Sequence, residues 1–449
     1  MRNAGLGIAA CCLGLAACGS CSKDAPPGGS SPSSPSSAAP GSVVAEQLPR
    51  CRREAQRLAI PGEEVVVGDV AIAPSGLLLG VVRVEGGKRL ASVVRASLDL
   101  ASSRVVDVGP PLGDDPPPSP RWNGTTAYVS FISRHATDAG AKLRELRVVR
   151  LEDSALGKVE ATILQQADES TAFDVAWSES GAGLVAWDED APPNPDAGKP
   201  LTETYAPEGR GFVKVQAIGS ATRRIASPES SDAEAPRLLA RPGGGFWLAW
   251  LARRAEDAGY AIESPGEKRA YRWVEVVPLT ATGEPAGPVK RVSSEKGRAA
   301  GFELARSGAD LVVMVQDEAA AADGAGARVV RYVVGETIES TDVVDGGVGG
   351  AVAELVPVSA ATDTARWLAW NDTSERTHLT PLANGLVVAG GATAEPALDG
   401  ARVLASIPPD ALYALVGASP SEDPSTPIRP ELRRFVCTPG PAAAASAKK

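Results

Sequence analysis

Aromatic residues, histidine and methionine are scarce in this chain of 449 residues. Aromatic residues make up 4% of it, and there are 2 histidines and 2 methionines. His135 and His378 lie in no Gly-x-Ser-x-Gly, His-Glu-x-x-His or Cys/His ligand motif. Because the sequence contains no catalytic motif, we expect a protein that is not an enzyme and that holds no resident cofactor.

The chain also lacks an excess of basic residues. Its formal net charge is −10 and its isoelectric point is near 5.1, which argues against nucleic acid as a partner. The hydrophobic fraction of 43% and the charged fraction of 22% disfavour wholesale disorder and a multi-span membrane protein. The 47 glycines and 37 prolines suit many short strands joined by turns, so the composition favours an all-β fold.

Apolar runs of membrane-spanning length are missing, but a shorter one lies at the start. A basic beginning, Met-Arg-Asn, precedes the apolar residues 4–17, which have the length of a signal peptide rather than of a membrane span. The residues Leu15-Ala-Ala-Cys18-Gly19 resemble the bacterial lipobox. That resemblance implies cleavage after residue 17 and lipidation of Cys18; Cys11 would leave too short an apolar region. An ordinary signal peptide is the alternative.

The lipobox resemblance also implies a location. Several acyl chains on one cysteine are enough for stable anchoring, so we expect a bacterial envelope lipoprotein. Gly19, rather than Asp, follows the cysteine, and by resemblance this favours the outer membrane. Residues 18–50 are rich in Pro, Ser and Gly and predict a disordered tether, and residues 438–449 predict a disordered tail. The folded domain is then expected over residues 51–437.

A four-residue pattern recurs seven times in that domain: apolar, apolar, small, large apolar. The copies are Leu78–Val81, Tyr128–Phe131, Leu184–Trp187, Trp247–Trp250, Leu311–Met314, Trp367–Trp370 and Leu412–Leu415. Their mean spacing of about 56 residues is typical of a four-stranded propeller blade. Inner blade strands are covered on both faces, which explains the continuous apolar pattern. The pattern predicts a seven-bladed β-propeller, with a β-sandwich array as the rival, and is loosely similar to TolB and sialidase-like propeller repeats.

Two of the 6 cysteines, Cys51 and Cys437, belong to the predicted fold and flank it. In an exported protein such a pair predicts a disulfide, although two unpaired thiols are the alternative. The seventh repeat has three strands before the tail, so the segment around residues 56–60 is expected to supply its outer strand. The ring would then be closed by an N-terminal strand in the last blade, with Cys51 just before that strand and Cys437 on its neighbour.

A short acidic sequence recurs in four of the predicted loops between the second and third strands of the repeats. Its aspartates are Asp138, Asp196, Asp257 and Asp323. These loops are expected to emerge on one face, which we take as the candidate binding surface. The competing explanation is ordinary turn chemistry. The side-chain oxygens of Asp188, Glu189 and Asp190 could bind calcium. The competing interpretation is a solvated loop, because the residue spacing of a calcium-binding loop is missing.

The sequence therefore predicts a lipid-anchored envelope lipoprotein whose propeller binds or scaffolds an unknown protein or glycan without catalysis. The alternative is a propeller hydrolase or lyase acting on an envelope or extracellular glycan. A purely structural envelope component is the third hypothesis. Convergent Arg, Tyr and Glu side chains in a pocket would favour the enzyme.

Overall fold

The computed structural model describes residues 51–109, 116–136, 142–164, 172–190, 211–254, 271–318, 327–344, 352–360, 367–383, 386–387, 393–417 and 430–437. All of them belong to the unit that spans residues 47–449. They form β-strands connected by turns, with one short 3₁₀ helix, Pro396–Leu398, among the elements bounded within them. None of the helical segments described there has the length and apolarity that spanning a membrane requires.

The first half of the described fold contains an opening strand and four complete sheets. The opening strand is β1 (Cys51–Ala59). The first blade contains β2 (Val65–Ala73), β3 (Gly76–Glu85), β4 (Lys88–Ala96) and β5 (Ser103–Gly109). The second contains β6 (Ser119–Trp122), β7 (Ala127–Ala136), β8 (Lys142–Leu151) and β9 (Leu156–Leu164). The third contains β10 (Phe173–Trp177), β11 (Gly183–Asp190), β12 (Gly211–Ala217) and β13 (Arg223–Ile225), and the fourth β14 (Ser231–Ala240), β15 (Phe246–Arg254), β16 (Trp273–Leu279) and β17 (Lys290–Arg291).

The second half completes the ring. The fifth blade contains β18 (Ala299–Ser307), β19 (Asp310–Asp317), β20 (Arg328–Val334) and β21 (Ile338–Val344). The sixth contains β22 (Val352–Val356), and, after the short β23 (Val358–Ala360), β24 (Trp367–Asp372), β25 (Thr377–Ala383), β26 (Leu386–Val387) and β27 (Thr393–Ala394). The last blade contains β28 (Val403–Ile407), β29 (Ala411–Gly417) and β30 (Pro430–Cys437). Successive strands of each blade pair antiparallel from the inner strand outwards, and seven such sheets form the predicted seven-bladed β-propeller.

The second strand of every blade contains one copy of the recurring four-residue pattern, and these strands form the cores between blades. In β3, eight successive residues are buried. Leu77 and Leu79 pack against the seventh blade, whereas Leu78 and Val82 pack against the second. Alternate side chains therefore enter opposite interfaces, as the continuous apolar pattern predicts. The core shared by the first and seventh blades shows that the sheets close into a ring.

The tryptophans of the pattern follow this arrangement with one exception. Trp187, Trp250 and Trp370 are among the largest fully buried side chains. Trp247, near the beginning of β15, is half-buried, and the guanidinium of Arg241 lies 5.7 Å from its ring centre.

The small residue of the pattern lets neighbouring blades approach, and Gly80 shows this most directly. A Cβ atom at Gly80 would overlap the carbonyl oxygen of Pro118, in the chain entering the second blade. We expect Gly80→Ala to lower the free energy of unfolding by about 2 to 3 kcal/mol, because the backbone must move apart. Urea unfolding measures this. Gly301→Ala is the matched control, since the nearest atom to its new Cβ is 3.9 Å away; an equal loss in both variants would contradict the explanation.

The N-terminal strand closes the last blade, as predicted. β1 is the outermost strand of that sheet and pairs antiparallel with β30. The chain contains the predicted disulfide between Cys51 and Cys437, whose Cα atoms are 4.1 Å apart. One detail differs: Cys51 is the first residue of the strand and lies directly opposite Cys437, rather than before the strand. The fully buried Glu395 also accepts a hydrogen bond from the backbone N–H of Cys51 at 3.0 Å.

The sixth and seventh blades share a connection that the repeat did not predict. After the inner strand of the sixth blade, β23 crosses to the seventh and pairs parallel with its inner strand β28. The hydroxyl of Ser359 in β23 donates a hydrogen bond to the backbone oxygen of Val70 in the first blade, at 2.6 Å. The strand β23 thus extends the sheet of the seventh blade on its inner side and joins it to the first blade.

Candidate functional site

Charged side chains of the inner strands come together at the middle of the ring. Each of the first five blades contributes one: Asp69, Arg121, Asp174, Arg237 and Glu303. We call these five residues the channel cluster. Because the inner strands surround the propeller axis, the cluster gathers groups from five separate sheets around one central space.

Two cavities meet at the channel cluster. One has a volume of about 320 Å³ and is lined by later residues of the inner strands, such as Ile72, Leu239 and Ala305. The other has a volume of about 380 Å³ and is lined by earlier residues, such as Val67 and Gly301. Asp69, Arg237 and Glu303 line both cavities. The inner strands begin at the end of the ring where the second strands finish, so the larger cavity lies towards that end.

Three members of the channel cluster form a network of two ion pairs that share Arg121. Arg121 Nη1 donates to Asp69 Oδ2 at 2.9 Å, and Arg121 Nη2 donates to Asp174 Oδ1 at 2.7 Å. Asp174 Oδ2 also accepts the backbone N–H of Leu238 at 2.8 Å, which joins the third blade to the fourth. Ser119 Oγ donates to Asp69 Oδ2 at 2.6 Å. These hydrogen bonds fix Arg121 between two carboxylates and leave it little capacity for a ligand.

The two sides of this network stabilise each other's charge. Burial raises the pKa of Asp69, but the charge of Arg121 and the bond from Ser119 outweigh it and hold that pKa at about 2. Burial lowers the pKa of Arg121, but Asp69 and Asp174 raise it further above its ordinary value. Asp69 and Arg121 are therefore ionised across the physiological pH range.

Arg237 occupies a different position, because a distortion of β14 presents it to the channel. The pairing of β14 with β15 shifts between Glu234 and Arg237, which marks a β-bulge. Ala235 in the bulge has a φ of 52°, in the left-handed region, and its N–H donates to Asp188 Oδ2 at 2.9 Å. Backbone strain of this kind commonly accompanies a functional position. The bulge aims the Arg237 side chain into the space that both cavities share.

The guanidinium of Arg237 is also less engaged than that of Arg121. The one hydrogen bond described for it is a long one, 3.4 Å from Nη1 to the backbone oxygen of Pro236. More than a third of the residue is exposed to the channel. Burial lowers its pKa, but the charge of Glu303, followed by those of Asp174 and Asp69, raises the pKa above the ordinary arginine value. Arg237 is thus a fixed positive charge with donors available to a ligand.

Glu303 is the group in the cluster that titrates near neutral pH. Burial is the largest effect on its carboxyl, and the negative charges of Asp69 and Asp174 add to it. The positive charges of Arg237 and Arg121 oppose these effects, and the resulting pKa is about 7. Because the two aspartates balance the two arginines, the cluster is neutral while Glu303 holds its proton and carries one negative charge when Glu303 is ionised.

The raised pKa of Glu303 makes stability depend on pH. The folded protein holds a proton that the unfolded chain releases above about pH 4.5, so the contribution is complete below that pH and is lost as the pH rises to 7. We expect the free energy of unfolding of the native protein to fall by up to about 3 kcal/mol relative to Glu303→Gln between pH 5 and pH 8. Urea unfolding of both proteins at the two pH values measures this, and parallel behaviour of the two would contradict the raised pKa.

The residues singled out from the sequence are only partly within the described structure. The four loop aspartates Asp138, Asp196, Asp257 and Asp323 lie outside the described residues, and so does the lipidation candidate Cys18. The candidate binding surface on the loops, and the anchor, therefore stay predictions. Cys51 and Cys437 form the disulfide.

The calcium hypothesis concerns residues that have other partners. Asp188 is buried and holds the bulge at Ala235. Glu189 is buried and accepts hydrogen bonds from Lys214 Nζ at 2.8 Å and from Trp187 Nε1 at 3.2 Å. The side chain of Asp190 is outside the described part of the chain. Within that part, no three His, Cys, Asp or Glu residues form a group able to hold a metal ion, and the hypothesis stays untested.

His378 has a role in the fold. Its Nε2 lies 2.9 Å from Asp372 Oδ2, and its ring stacks on Trp370 at 5.4 Å. Burial raises the pKa of Asp372, but hydrogen bonds from His378 and from the backbone of Arg376 and Ser374 bring it to about 2. This cluster fixes the turn between β24 and β25 and lines neither channel cavity.

The channel cluster itself was missed from the sequence, although a signal exists. Four of its members precede two apolar or small residues in the inner strand, as Asp69-Val-Ala, Asp174-Val-Ala, Arg237-Leu-Leu and Glu303-Leu-Ala. This is a further column of the repeat. The charged residue at this position of the repeat changes sign from one blade to the next, and Arg121 is followed by Trp-Asn instead. Similarity between the copies therefore does not reveal the position.

Comparisons with known proteins identify no family. No family model matches the sequence, and no curated protein matches it either. Among solved structures, the chain is similar to the polysaccharide lyase Uly1, with 9% identity, a TM-score of 0.49 and coverage of 84% of this chain and 90% of that one. It is similar to an acylaminoacyl peptidase of Pyrococcus horikoshii, with 10% identity, a TM-score of 0.48 and coverage of 82% of this chain and 51% of that one.

A third similar structure is a propeller by its own description. It is the β-propeller domain of the Trilobed protease from Pyrococcus furiosus, with 8% identity, a TM-score of 0.43 and coverage of 78% of this chain and 91% of that one. This chain spans about half the length of the acylaminoacyl peptidase. The structural neighbours thus include propeller proteins.

Proposed function

We propose that this protein is a membrane-anchored lipoprotein of a bacterial envelope whose propeller binds a small polar ligand in its channel and catalyses no reaction. The observation that carries the proposal is the convergence of five charged side chains, from five blades, on two joined cavities. A few well-placed polar groups in a concave space are typical of small-ligand sites. The membrane anchor rests on the lipobox-like residues that end at Cys18.

The state of the cluster supports binding rather than turnover. Arg121, Asp69 and Asp174 are bonded to one another, and Ser359, which also lines the smaller cavity, has its hydroxyl bonded to Val70. The described residues that line the two cavities include no histidine, cysteine or tyrosine. Two groups then remain for a ligand: the guanidinium of Arg237 and the carboxyl of Glu303.

One observation favours the enzyme alternative. A carboxyl with a pKa of about 7 suits a general acid or base at neutral pH, and Arg237 beside it would stabilise a negative charge that develops during a reaction. Convergent Arg and Glu side chains were the sign expected of a hydrolase or lyase; the tyrosine expected with them is not among the described cavity residues. New products after incubating the protein with envelope glycans, detected by mass spectrometry and abolished in Glu303→Gln, would establish that activity instead.

The proposed function has a test with two arms. Expressed in a bacterium, the full-length protein should fractionate with membranes, and Cys18→Ser should release it, whereas Cys11→Ser should not. For binding, small molecules that co-purify with the detergent-solubilised native protein should be depleted from Arg237→Gln. Membrane retention of Cys18→Ser would overturn the anchor. Identical small-molecule profiles for the native protein and the arginine variant would overturn the channel as the binding site.

A further inference from the structure

Arg237 and Glu303 have complementary capacities for a ligand. Arg237 offers guanidinium N–H groups in the space that the two cavities share, and the one bond described for it is the long contact with Pro236. Glu303 lines the same space, and it is the main negative charge acting on Arg237. When Glu303 is ionised it is an internal counter-ion for the arginine. When Glu303 is protonated, the arginine lacks that counter-ion and a ligand anion can take its place.

We propose that the channel binds a small monocarboxylate on Arg237 and that Glu303 takes up one proton from solvent as the ligand binds. This inference rests on the proposed function, since it specifies the class of ligand that the channel holds. The carboxylate of the ligand supplies to Arg237 the negative charge that ionised Glu303, which lines the same two cavities, supplies in its absence. The exchange balances in charge, because the ligand brings one negative charge into the channel and the proton neutralises the negative charge of Glu303.

The surroundings favour a carboxylate over other anions. A guanidinium presents parallel N–H donors that match the two oxygens of a carboxylate. Of the two arginines in the channel cluster, Arg237 is the one available to a ligand, because Arg121 is held between Asp69 and Asp174. A dianion such as phosphate would place its second charge near those two aspartates, at a site with one available arginine. A single negative charge is therefore the better match.

The other charged groups around Glu303 do not supply an alternative partner. From the neighbouring inner strands it is acted on by Arg237, Asp69, Asp174 and Arg121. In the lining of the larger cavity, Arg402 Nη1 is paired with Glu354 Oε2 at 3.4 Å. On its own strand β18, Arg306 pairs with Glu179 at 3.1 Å. Arg237 is thus the charge to which the proton on Glu303 is coupled.

The volumes fit a ligand of this kind. The two cavities have about 320 and 380 Å³, which is the lower part of the range for small-molecule sites. Apolar side chains, including Ile72, Leu239 and Leu304, line the smaller cavity next to the arginine. Trp122 lines it as well, so ligand entry has a fluorescent reporter.

The experiment uses the full-length protein in detergent and a panel of monocarboxylates from acetate to gluconate, each paired with its neutral amide, together with inorganic phosphate. Titration calorimetry and tryptophan fluorescence measure binding at pH 6, 7 and 8. We expect at least one carboxylate to bind, its amide to bind at least tenfold more weakly, and affinity to fall up to tenfold between pH 7 and 8. Calorimetry at pH 8 in two buffers of different ionisation enthalpy should report uptake of close to one proton.

Two variants separate the roles of the residues. Arg237→Gln should weaken carboxylate binding at least tenfold at every pH. Glu303→Gln should retain binding, lose proton uptake and bind equally at pH 6 and 8. Arg224→Gln, which breaks the exposed pair with Glu284 on the outer strand β13, is the matched control and should behave as the native protein. Near-UV circular dichroism confirms that each variant is folded.

The results that overturn the inference differ from those that overturn the proposed function. Absence of binding for the whole panel, equal binding of acids and amides, tighter binding of phosphate, or a pH-independent affinity in the native protein would each reject the proton-coupled carboxylate. A non-acidic small molecule recovered from the native protein and depleted from Arg237→Gln would reject only the ligand class, and would leave the channel as a binding site.

Discussion

Reduction of the bond between Cys51 and Cys437 is expected to lower the free energy of unfolding by up to about 6 kcal/mol, because the bond closes a loop of 386 residues. In the chain-entropy model, the stabilisation by a disulfide grows with the logarithm of the loop length. A bond that joins the two ends of the domain closes nearly the longest loop possible in it and therefore stabilises it most. Residual structure in the unfolded chain reduces the effect, and a loss of about 3 to 6 kcal/mol is the range we expect.

The measurement is urea unfolding with and without dithiothreitol, for the native protein and for Cys51→Ala/Cys437→Ala. The native protein should lose stability on reduction, whereas the double variant should start at the lower value and not respond to the reductant. The alanine variant retains the other four cysteines of the sequence, Cys11, Cys12, Cys18 and Cys21, so its lack of response assigns the effect to the bond in the propeller. Equal stability of the oxidised and reduced native protein would show that strand pairing alone closes the ring.

The blade architecture was predictable because burial on both faces leaves a signal in every copy. Each second strand has neighbours on its two faces, so its residues are apolar in succession and one of them, such as Gly80, must be small. The same constraint acts seven times, and the repetition makes a four-residue pattern detectable. The closing strand followed from counting strands, since the seventh repeat lacked one and the N-terminal segment was left over.

Features that occur once were not predictable in this way. β23 is three residues long, carries no pattern of its own and pairs parallel with β28 only because the ring brings the sixth and seventh inner strands together. The bulge at Ala235 depends on Asp188, which is 47 residues earlier in the chain. Neither feature has a local sequence signal, because each is determined by the contact between two different blades.

The channel cluster lies between these two cases. Its members recur at one place in the repeat, so their positions were available from the sequence, but their chemistry depends on partners in other blades. Asp69 and Glu303 are both carboxylates on inner strands, yet Arg121 and Ser119 hold the pKa of one at about 2, and burial with weaker compensation raises the pKa of the other to about 7. The sequence alone does not say which carboxylate receives the arginine.

Removal of the central arginine should be the most damaging single substitution in the channel. Arg121→Met is expected to lower the free energy of unfolding by about 3 to 5 kcal/mol at pH 7, because the carboxylates of Asp69 and Asp174 would remain in the channel without their shared counter-ion. Asp174 is the more costly of the two, since its side chain is only 6% exposed and it continues to hold Leu238. Arg224→Met is the matched control; its pair with Glu284 is exposed and should be worth less than about 1 kcal/mol.

The loss should depend on pH in a direction that identifies its cause. In the native protein the pKa of Asp69 lies at about 2, below its ordinary value, so the network stabilises the fold above pH 4 and weakens as the pH falls towards 2. Without Arg121, the largest effect that lowers the pKa of Asp69 is gone and burial raises that pKa, so protonation of Asp69 stabilises the variant at mildly acidic pH. The difference in stability between the two proteins should therefore be larger at pH 7 than at pH 4.5, and adding Asp174→Asn to Arg121→Met should recover part of it at pH 7. A loss of equal size at both pH values, unchanged by the second substitution, would assign the effect to lost packing of the arginine side chain instead of to its charge.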